Sequence, residues 1–485
     1  MDVRKLFSGL VLIGLFSMAV RETVDPDMWW HLRTGEFILE EGIPRTDIFS
    51  YTVPENQWIA HEWLSEVVMW LVHLAGGLPL LILFFAAVIT AAYWLLYLRS
   101  DGKPYLAGFV VIMAALASAP LWGARPQMFN LLFAALFVFI VEGYKDRKLG
   151  KRALWLLPLG TLIWANLHSG YLFGIALMIA YVIGETLEQL IGSPTNRSLS
   201  WSGIRWLFLM AVLCFIIAVI NPNGPELWIY PFFTLGSAAM QRYIQEWQSP
   251  DFHNAIFWPF AALVSLGVIS WLASRRKPTW TDLLLFGATA LAGLMSVRHI
   301  PLFTVVAVPI VSRYLMMALD GSRLYPLFSG QSIVYTTNRR QVLNWVLVIL
   351  AIVVAAIWTF QKIDKNDEVI SAVYPVDAVD FLEESGLSNE RGFNSYGWGG
   401  YLIWRGIQVF VDGRADVYGD EFLFHYLNAF DVTDKWREPL DDYDVSYVLI
   451  DPADHLGLLL TEAKGWDEVY EDDVAQIFVA IGGLK

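Results

Sequence analysis

The chain has 485 residues, of which 56% are apolar and only 16% charged, whereas an ordinary soluble domain carries about 25% charged residues. That composition excludes a conventional cytosolic enzyme, and the single cysteine, Cys214, excludes an internal disulfide framework and a cysteine-based zinc site. The net charge of −14 is uneven: residues 1–360 hold 21 acidic and 24 basic side chains, but from Gln361 onward there are 26 acidic and 9 basic. This implies a membrane body, 1–360, followed by an acidic soluble domain, 361–485, with no nucleic acid as partner.

A backbone in lipid must satisfy its own hydrogen bonds, so each crossing needs roughly 20 mostly apolar residues in a helix. Such runs lie near 6–20, 78–98, 105–121, 127–143, 153–166, 170–190, 205–221, 257–273, 280–296, 300–318 and 342–360, predicting about eleven spans in the bilayer. The first run is short and also fits a signal peptide ending at Ser17-Met18-Ala19. With 61–75 lying along the membrane surface, one set of alternating loops carries 18 Lys and Arg and the other 6. The positive-inside rule then places the N-terminus in the cytoplasm and the C-terminal domain outside, in a multi-pass protein of the plasma (inner) membrane.

The first long outer loop, 21–77, opens Val24-Asp25-Pro26-Asp27-Met28-Trp29-Trp30-His31. Asp25 followed by Pro26 is a helix start, the carboxylate capping free N–H groups and proline fitting the first helical position. Gly42 and Pro44 end that helix. Its aromatic and charged mixture predicts an interfacial helix. Asp27 reads either as a helix-terminus acid or as a functional carboxylate, with His31 four residues on and on the same face. His61, Glu62 and Glu66 would line an outer cavity from a second interfacial helix; His61-Glu62 lacks the second histidine of a zinc-protease motif.

Further along, the outer turn 120–127 carries Arg125 and no acid, and Asn166-Leu167-His168-Ser169-Gly170 places a histidine in another outer turn. The loop 222–256, with Glu246-Trp247 and Asp251-Phe252-His253, suits a segment closing over substrate or one simply lying on the surface. Arg298 and His299 sit in a very short outer turn, where a charge wedged between two spans is expensive and so suggests function. Arginine matches phosphate oxygens with a planar fork; snorkelling for Arg125, a buried ion pair for Arg298 and a turn polar group for His168 are the structural alternatives. The inner 321–341 segment reads as a connector. In the C-terminal domain, Pro375–Glu384 predicts a helix, and Val409–Asp412, Val445–Asp451 and Val474–Ala480 predict strands. No Walker loop or dinucleotide fingerprint supports nucleotide use.

The run Asp27, Trp29, Arg33, Phe37, Glu40, Gly42 resembles the first outer loop of the oligosaccharyltransferase catalytic subunit. That enzyme is one of the type-C (GT-C) membrane glycosyltransferases, which take sugar from a polyprenyl phosphate or diphosphate. The C-terminal segment Phe393-Asn394-Ser395-Tyr396-Gly397-Trp398 resembles the same enzyme's acceptor-gripping Trp-Trp-Asp-Tyr-Gly region, although the motif's aspartate is missing because Ser395 stands before Tyr396-Gly397, and Val409–Asp416 resembles the short strand ending in Ala-Asp that follows it there. Without it, recognition of a glycosylation sequon does not carry over, and a plain Gly-rich turn remains the alternative.

The resemblance implies an α-helical polytopic, GT-C-like body with a small mixed α/β extracytoplasmic domain. It implies Asp27 as catalytic group, and it frames an expected donor-phosphate site of Arg125, Arg298, His299 and His168. His31, His61, Glu62, Tyr396, Trp398 and Asp412 would line the acceptor side. A divalent cation, Mg or Mn, would fall to Asp25 and Asp27, a thin ligand set for a hard ion; monophosphate-using members of the superfamily, resembling protein mannosyltransferases and aminoarabinose transferases, lean on basic side chains instead. The expected function is glycosyl transfer from a polyprenyl-linked donor to a protein, lipid or glycan acceptor outside the cytoplasm. A non-catalytic lipid-glycan carrier or flippase and a structural membrane subunit are the rival readings.

Overall fold

The computed structural model describes all residues except 193, 275, 330–336 and 482–485. Arg275 of the inner basic count and part of the 321–341 connector therefore lie outside the described residues. The chain forms two compact units. The helical unit comprises Met1–Arg21, Ile82–Trp228 and Gln245–Lys362, and the mixed unit Glu22–Leu81, Ile229–Ile244 and Ile363–Lys485. The division is thus not one cut near residue 360: most of the first loop and part of the 222–256 loop fold with the C-terminal segment.

Every predicted span falls on a helix. Among the described residues, six helices are long and apolar enough to cross a membrane: Trp63–Arg99, Gln127–Lys145, Tyr171–Leu190, Ala255–Ala273, Val297–Leu319 and Asn338–Asp364. The expectation of about eleven exceeds that number because the other apolar helices, such as Val3–Ala19, Tyr105–Ser118 and Leu156–Leu167, have only 17, 14 and 12 residues. Trp63–Arg99 is broken at Gly76 and Gly77, the latter at φ +63°, a left-handed conformation that glycine adopts without steric cost. The break separates residues 63–75 from the apolar stretch that follows.

Ile300–Leu319 is the central helix of the helical unit, packing against Tyr105–Ser118, Gln127–Lys145, Trp258–Ala273 and Trp280–Met295. Its lower half carries the unit's main polar feature. Arg313 Nη1 donates to both carboxylate oxygens of Asp282 at 3.0 and 3.2 Å, and Nη2 donates to Glu142. Tyr181 and Arg197 also donate to Glu142, Tyr314 donates to Asp282, and Lys145 pairs with Glu185 at 2.7 Å. Glu142, Lys145, Glu185, Asp282 and Arg313 are all buried. Buried ions are tolerated when each finds opposite charge and hydrogen bonds, and removing one partner strands the rest. Replacing Arg313 by leucine should therefore cost about 3–5 kcal/mol, read as a lower melting temperature in detergent, with Arg313→Lys recovering part of the loss.

The mixed unit contains a four-stranded sheet of β1 (Gly392–Asn394), β2 (Tyr447–Ile450), β3 (Trp466–Glu471) and β4 (Gln476–Ala480), in the order β1-β2-β4-β3. β1 runs parallel to β2, and the other pairs are antiparallel. The predicted helix is present as Val376–Ser385 and packs on β3. The predicted strand at Val409–Asp412 is not part of the sheet. Val409 instead bridges to Ser50 of the first loop, and the Asn394 amide takes the place of a neighbouring strand: its Oδ1 accepts from Phe410 N at 2.9 Å and its Nδ2 donates to Val411 O at 2.8 Å.

Candidate functional site

The helix Pro26–Glu41 starts as its sequence dictates. Asp25 Oδ1 accepts from Asp27 N at 3.1 Å, Pro26 occupies the first helical position, and Gly42 closes the helix at φ +95°. The first half of the helix is turned into protein, while Leu39 near its end is exposed. Met28, Trp29, Trp30, His31 and Leu32 are buried within the mixed unit, because the C-terminal segment supplies partners: Trp29 packs on Tyr374, Tyr401 and Trp404 at ring separations of 5.3–5.9 Å.

The glycines of the C-terminal motif make this packing close. A Cβ on Gly400 would lie 2.3 Å from Pro26 O, and one on Gly413 would lie 2.0 Å from Asp27 Oδ1. Asp27, half-buried, also accepts from Trp30 Nε1 at 3.1 Å. Tyr396 donates its hydroxyl to Gly413 O at 3.2 Å. Burial, followed by the charges of Asp27, Asp412 and Asp416, holds the Tyr396 phenol well above its ordinary value, so it stays a neutral donor. Trp398 is buried, with its indole N–H on Val373 O. Asp412 is wholly buried; its carboxylate takes two side-chain hydrogen bonds from Arg414 and one from Tyr418. Arg414 also reaches Asp47 at 2.6 Å and lies over the Trp58 and Phe49 rings. Asp412 is thus part of a clamp between loop and C-terminal segment rather than of an open acceptor surface.

Next along the helix a second group converges. His31 Nδ1 stands 3.2 Å from Glu66 Oε1 and Nε2 stands 3.5 Å from Glu62 Oε2, while the other Glu62 oxygen faces His61 Nε2 at 3.5 Å. The close approach depends on Gly35, where a Cβ would meet the Glu66 carbonyl oxygen at 2.1 Å. His61 stacks on Tyr230 at 4.3 Å, and the Tyr230 hydroxyl donates to Asp416 Oδ2 at 3.0 Å. Burial works against the His61 imidazolium, but Glu62 and Asp416 draw its pKa above the ordinary value. Burial pushes the Asp416 carboxyl up against the opposing pull of His61 and the Tyr230 hydroxyl. The sequence marks Glu66 beside Glu62, at i, i+4 on one helix face, but carries no local signal for Tyr230 or Arg414.

In the helical unit, Arg125 pairs with Glu246 at 2.5 Å, and Arg298 lies 5.1 Å from the centre of the Trp247 ring. Although burial opposes it, Arg125 and then Arg298 hold the Glu246 carboxyl below its ordinary value. Residues 246–248 of the 222–256 segment are tied to the Arg298 turn: Val297 N donates to Gln248 O and the Ser296 hydroxyl to Glu246 O, both at 2.9 Å. His299 is half-buried beside Arg298. The Trp164 indole N–H donates to Asn130 Oδ1 at 2.6 Å, which leaves Asn130 Nδ2 to donate to His168 Nδ1, as Gly170 N also does. His168 is therefore oriented with Nδ1 as acceptor.

A cation held by Asp25 and Asp27 finds a poor ligand set. Asp25 Oδ1 is engaged at the helix cap and Asp27 Oδ1 by Trp30, whereas a hard divalent ion wants six or more oxygens, several from the protein or water. These two carboxylates alone do not fit the ion.

No sequence family and no curated protein matches the chain. Solved structures do. The Archaeoglobus fulgidus oligosaccharyltransferase AglB, solved with an inhibitory peptide and a dolichol-phosphate, is similar at TM-score 0.57 and 12% identity, over 92% of this chain and 69% of its own. ArnT from Cupriavidus metallidurans bound to undecaprenyl phosphate matches at TM-score 0.50 and 14% identity, over 99% and 98%. The arabinofuranosyltransferase AftD from Mycobacteria matches at TM-score 0.50 and 14% identity, over 99% of this chain and 40% of its own. The chain has a GT-C-like fold.

Within that fold, the glycine contacts separate position from stability. Gly413→Ala meets side-chain atoms, Asp27 Oδ1 above all and then Trp30 Nε1, so it should displace the carboxylate at little cost in melting temperature. Gly400→Ala meets backbone and should lose about 1–3 kcal/mol, the range for overpacking. Thermal melts of the two variants check the ordering.

Proposed function

We propose that the chain is a membrane glycosyltransferase that moves a sugar or glycan from a polyprenyl-phosphate or diphosphate donor to an extracytoplasmic acceptor. The observation that carries this reading is the half-buried Asp27 carboxylate, held on a rigid helix start by Trp30 and by the close approach of Gly413 and Gly400, in a chain of GT-C-like fold. The ligand-bound neighbours add support, since AglB was solved with dolichol-phosphate and ArnT with undecaprenyl phosphate.

In the proposed step, an acceptor hydroxyl or amide attacks the anomeric carbon, its bond to the phosphate oxygen breaks, and Asp27 takes the acceptor's proton. A carboxylate positioned for proton transfer typically contributes 10²–10⁴-fold. The leaving lipid phosphate gains charge, and Arg298 and His299, with Arg125 and His168 as further contacts, are assigned to it; such charge stabilisation is often the largest catalytic contribution. Tyr396 and His61 are assigned to the acceptor. The eleven-span topology, with the N-terminus inside and the C-terminal segment outside, belongs to the same reading.

Asp27→Asn should abolish transfer from a synthetic polyprenyl-phosphate sugar, because an amide neither accepts a proton at neutral pH nor carries charge, while stability stays within about 1 kcal/mol. Asp25→Asn should keep most activity, since asparagine caps as well as aspartate. Full activity in Asp27→Asn would remove the catalytic assignment and favour a lipid-glycan carrier. Sidedness is checked with cysteines at Lys148 and Lys435, whose side chains are 60% and 62% exposed. In intact cells an impermeant thiol reagent should label the second position and spare the first.

A further inference from the structure

We infer that His31, Glu62 and Glu66 form a binding site for a transition-type divalent cation, zinc being the ion their donor set suits best. The three side chains come from two segments 31 residues apart in sequence and converge fully inside the mixed unit, with exposures of 1%, 5% and 1%. One nitrogen from His31 and one oxygen from each glutamate lie within 4.8 Å of one another. The nearest separations, 3.2 Å from His31 Nδ1 to Glu66 Oε1 and 3.5 Å from His31 Nε2 to Glu62 Oε2, involve both ring nitrogens, so an ion would take one of them and draw the second glutamate round to it, with donors about 3.3–3.6 Å apart on a tetrahedral zinc.

Charge and hydrogen bonding point the same way. Glu66 Oε2 is buried without a hydrogen-bond partner, and an unsatisfied carboxylate oxygen away from water is costly. Arg414 acts on Glu66, yet its guanidinium is engaged by Asp47 and Asp412, and His61 is shared between Glu62 and Asp416. A neutral imidazole with two carboxylates carries −2, which one divalent ion balances. A mixed nitrogen and oxygen set favours zinc over magnesium or calcium, which take oxygen ligands. Gly35 maintains the geometry, because any side chain there would push the Glu66 backbone away from the His31 helix. The set excludes both Asp25 and Asp27, so binding here would stand whether or not the chain transfers sugar.

The test uses the full-length protein in detergent, stripped with EDTA, desalted and titrated with Zn²⁺, with bound metal measured by inductively coupled plasma mass spectrometry. The wild type should retain one zinc per chain, and its melting temperature should rise on addition of zinc. Glu66→Gln, which keeps size and loses charge, and His31→Ala should each weaken retention at least tenfold and abolish the zinc-dependent rise. Asp27→Asn should bind zinc as the wild type does. Visible d–d absorption of Co²⁺-loaded wild type, quenched by stoichiometric zinc, supports the site without any variant. Failure of the wild type to retain zinc or to show the cobalt bands would overturn the inference and leave a protonated imidazole bridging two carboxylates. Loss of zinc in Asp27→Asn equal to that in Glu66→Gln would overturn it by moving the ion to Asp27.

Discussion

Backbone-to-backbone proximity between the C-terminal segment and the first-loop helix is the constraint on which the mixed unit depends. Gly400 sits against the Pro26 carbonyl, Gly413 against the Asp27 carboxylate and Gly399 against the Val411 carbonyl, each with no room for a Cβ. At Gly400 and Gly399 the neighbour is backbone, so the segments themselves would have to move, whereas at Gly413 the Asp27 side chain would give. The glycines that resemble an acceptor-recognition turn therefore have a physical task of their own. They allow residues nearly 400 positions apart to define the surroundings of one carboxylate. Arg414 reinforces the arrangement by holding Asp47 of the loop and Asp412 of the C-terminal segment between the Trp58 and Phe49 rings. Three charged groups are thereby buried in one self-satisfying clamp.

The two units treat buried charge differently. In the helical unit, Glu142, Asp282, Arg313, Lys145 and Glu185 form a network with both signs present and with hydroxyls of Tyr181, Tyr314 and Thr281 completing it. That pattern suits a fastener between helices, in which Arg313 and Lys145 each meet opposite charge, although Arg313 Nε makes no hydrogen bond among the described residues. In the mixed unit, the buried Glu66, grouped with His31 and Glu62, has a carboxylate oxygen without a hydrogen bond. A buried carboxylate oxygen without a hydrogen bond, among other potential ligands, suits a bound ion.

The polar groups of the helical unit's short turns show the same economy. Glu246 draws Arg125, and Arg298 lies on Trp247, while backbone hydrogen bonds tie 246–248 to 296–297. Both arginines are thus positioned by a segment that its composition alone presents as a loose loop. A guanidinium held over an aromatic face keeps its donors in plane and ready for phosphate oxygens.

Local chemistry alone determined much of this protein. The Asp25-Pro26 start and the Gly42 stop are read from side-chain capping and backbone freedom within a few residues, and helix Val376–Ser385 and strands β2 and β4 follow from short-range periodicity. Hydropathy placed every apolar run on a helix because lipid leaves a backbone no other way to satisfy itself. Only the tertiary structure decided which faces meet. Val409–Asp412 has strand-forming residues, yet its partners are Ser50 and the Asn394 amide rather than a strand. Trp29 and Trp30 carry the composition of membrane anchors and are buried in protein, since aromatic side chains suit both settings and Tyr374, Tyr401 and Trp404 happen to be brought to them. The pairing of Arg313 with Glu142 across 171 positions, and of His31 with Glu66 across 35, leaves no trace in either neighbourhood. Charge attracts charge whatever the separation in sequence, so the identity of a partner is set by the packing that brings it within reach.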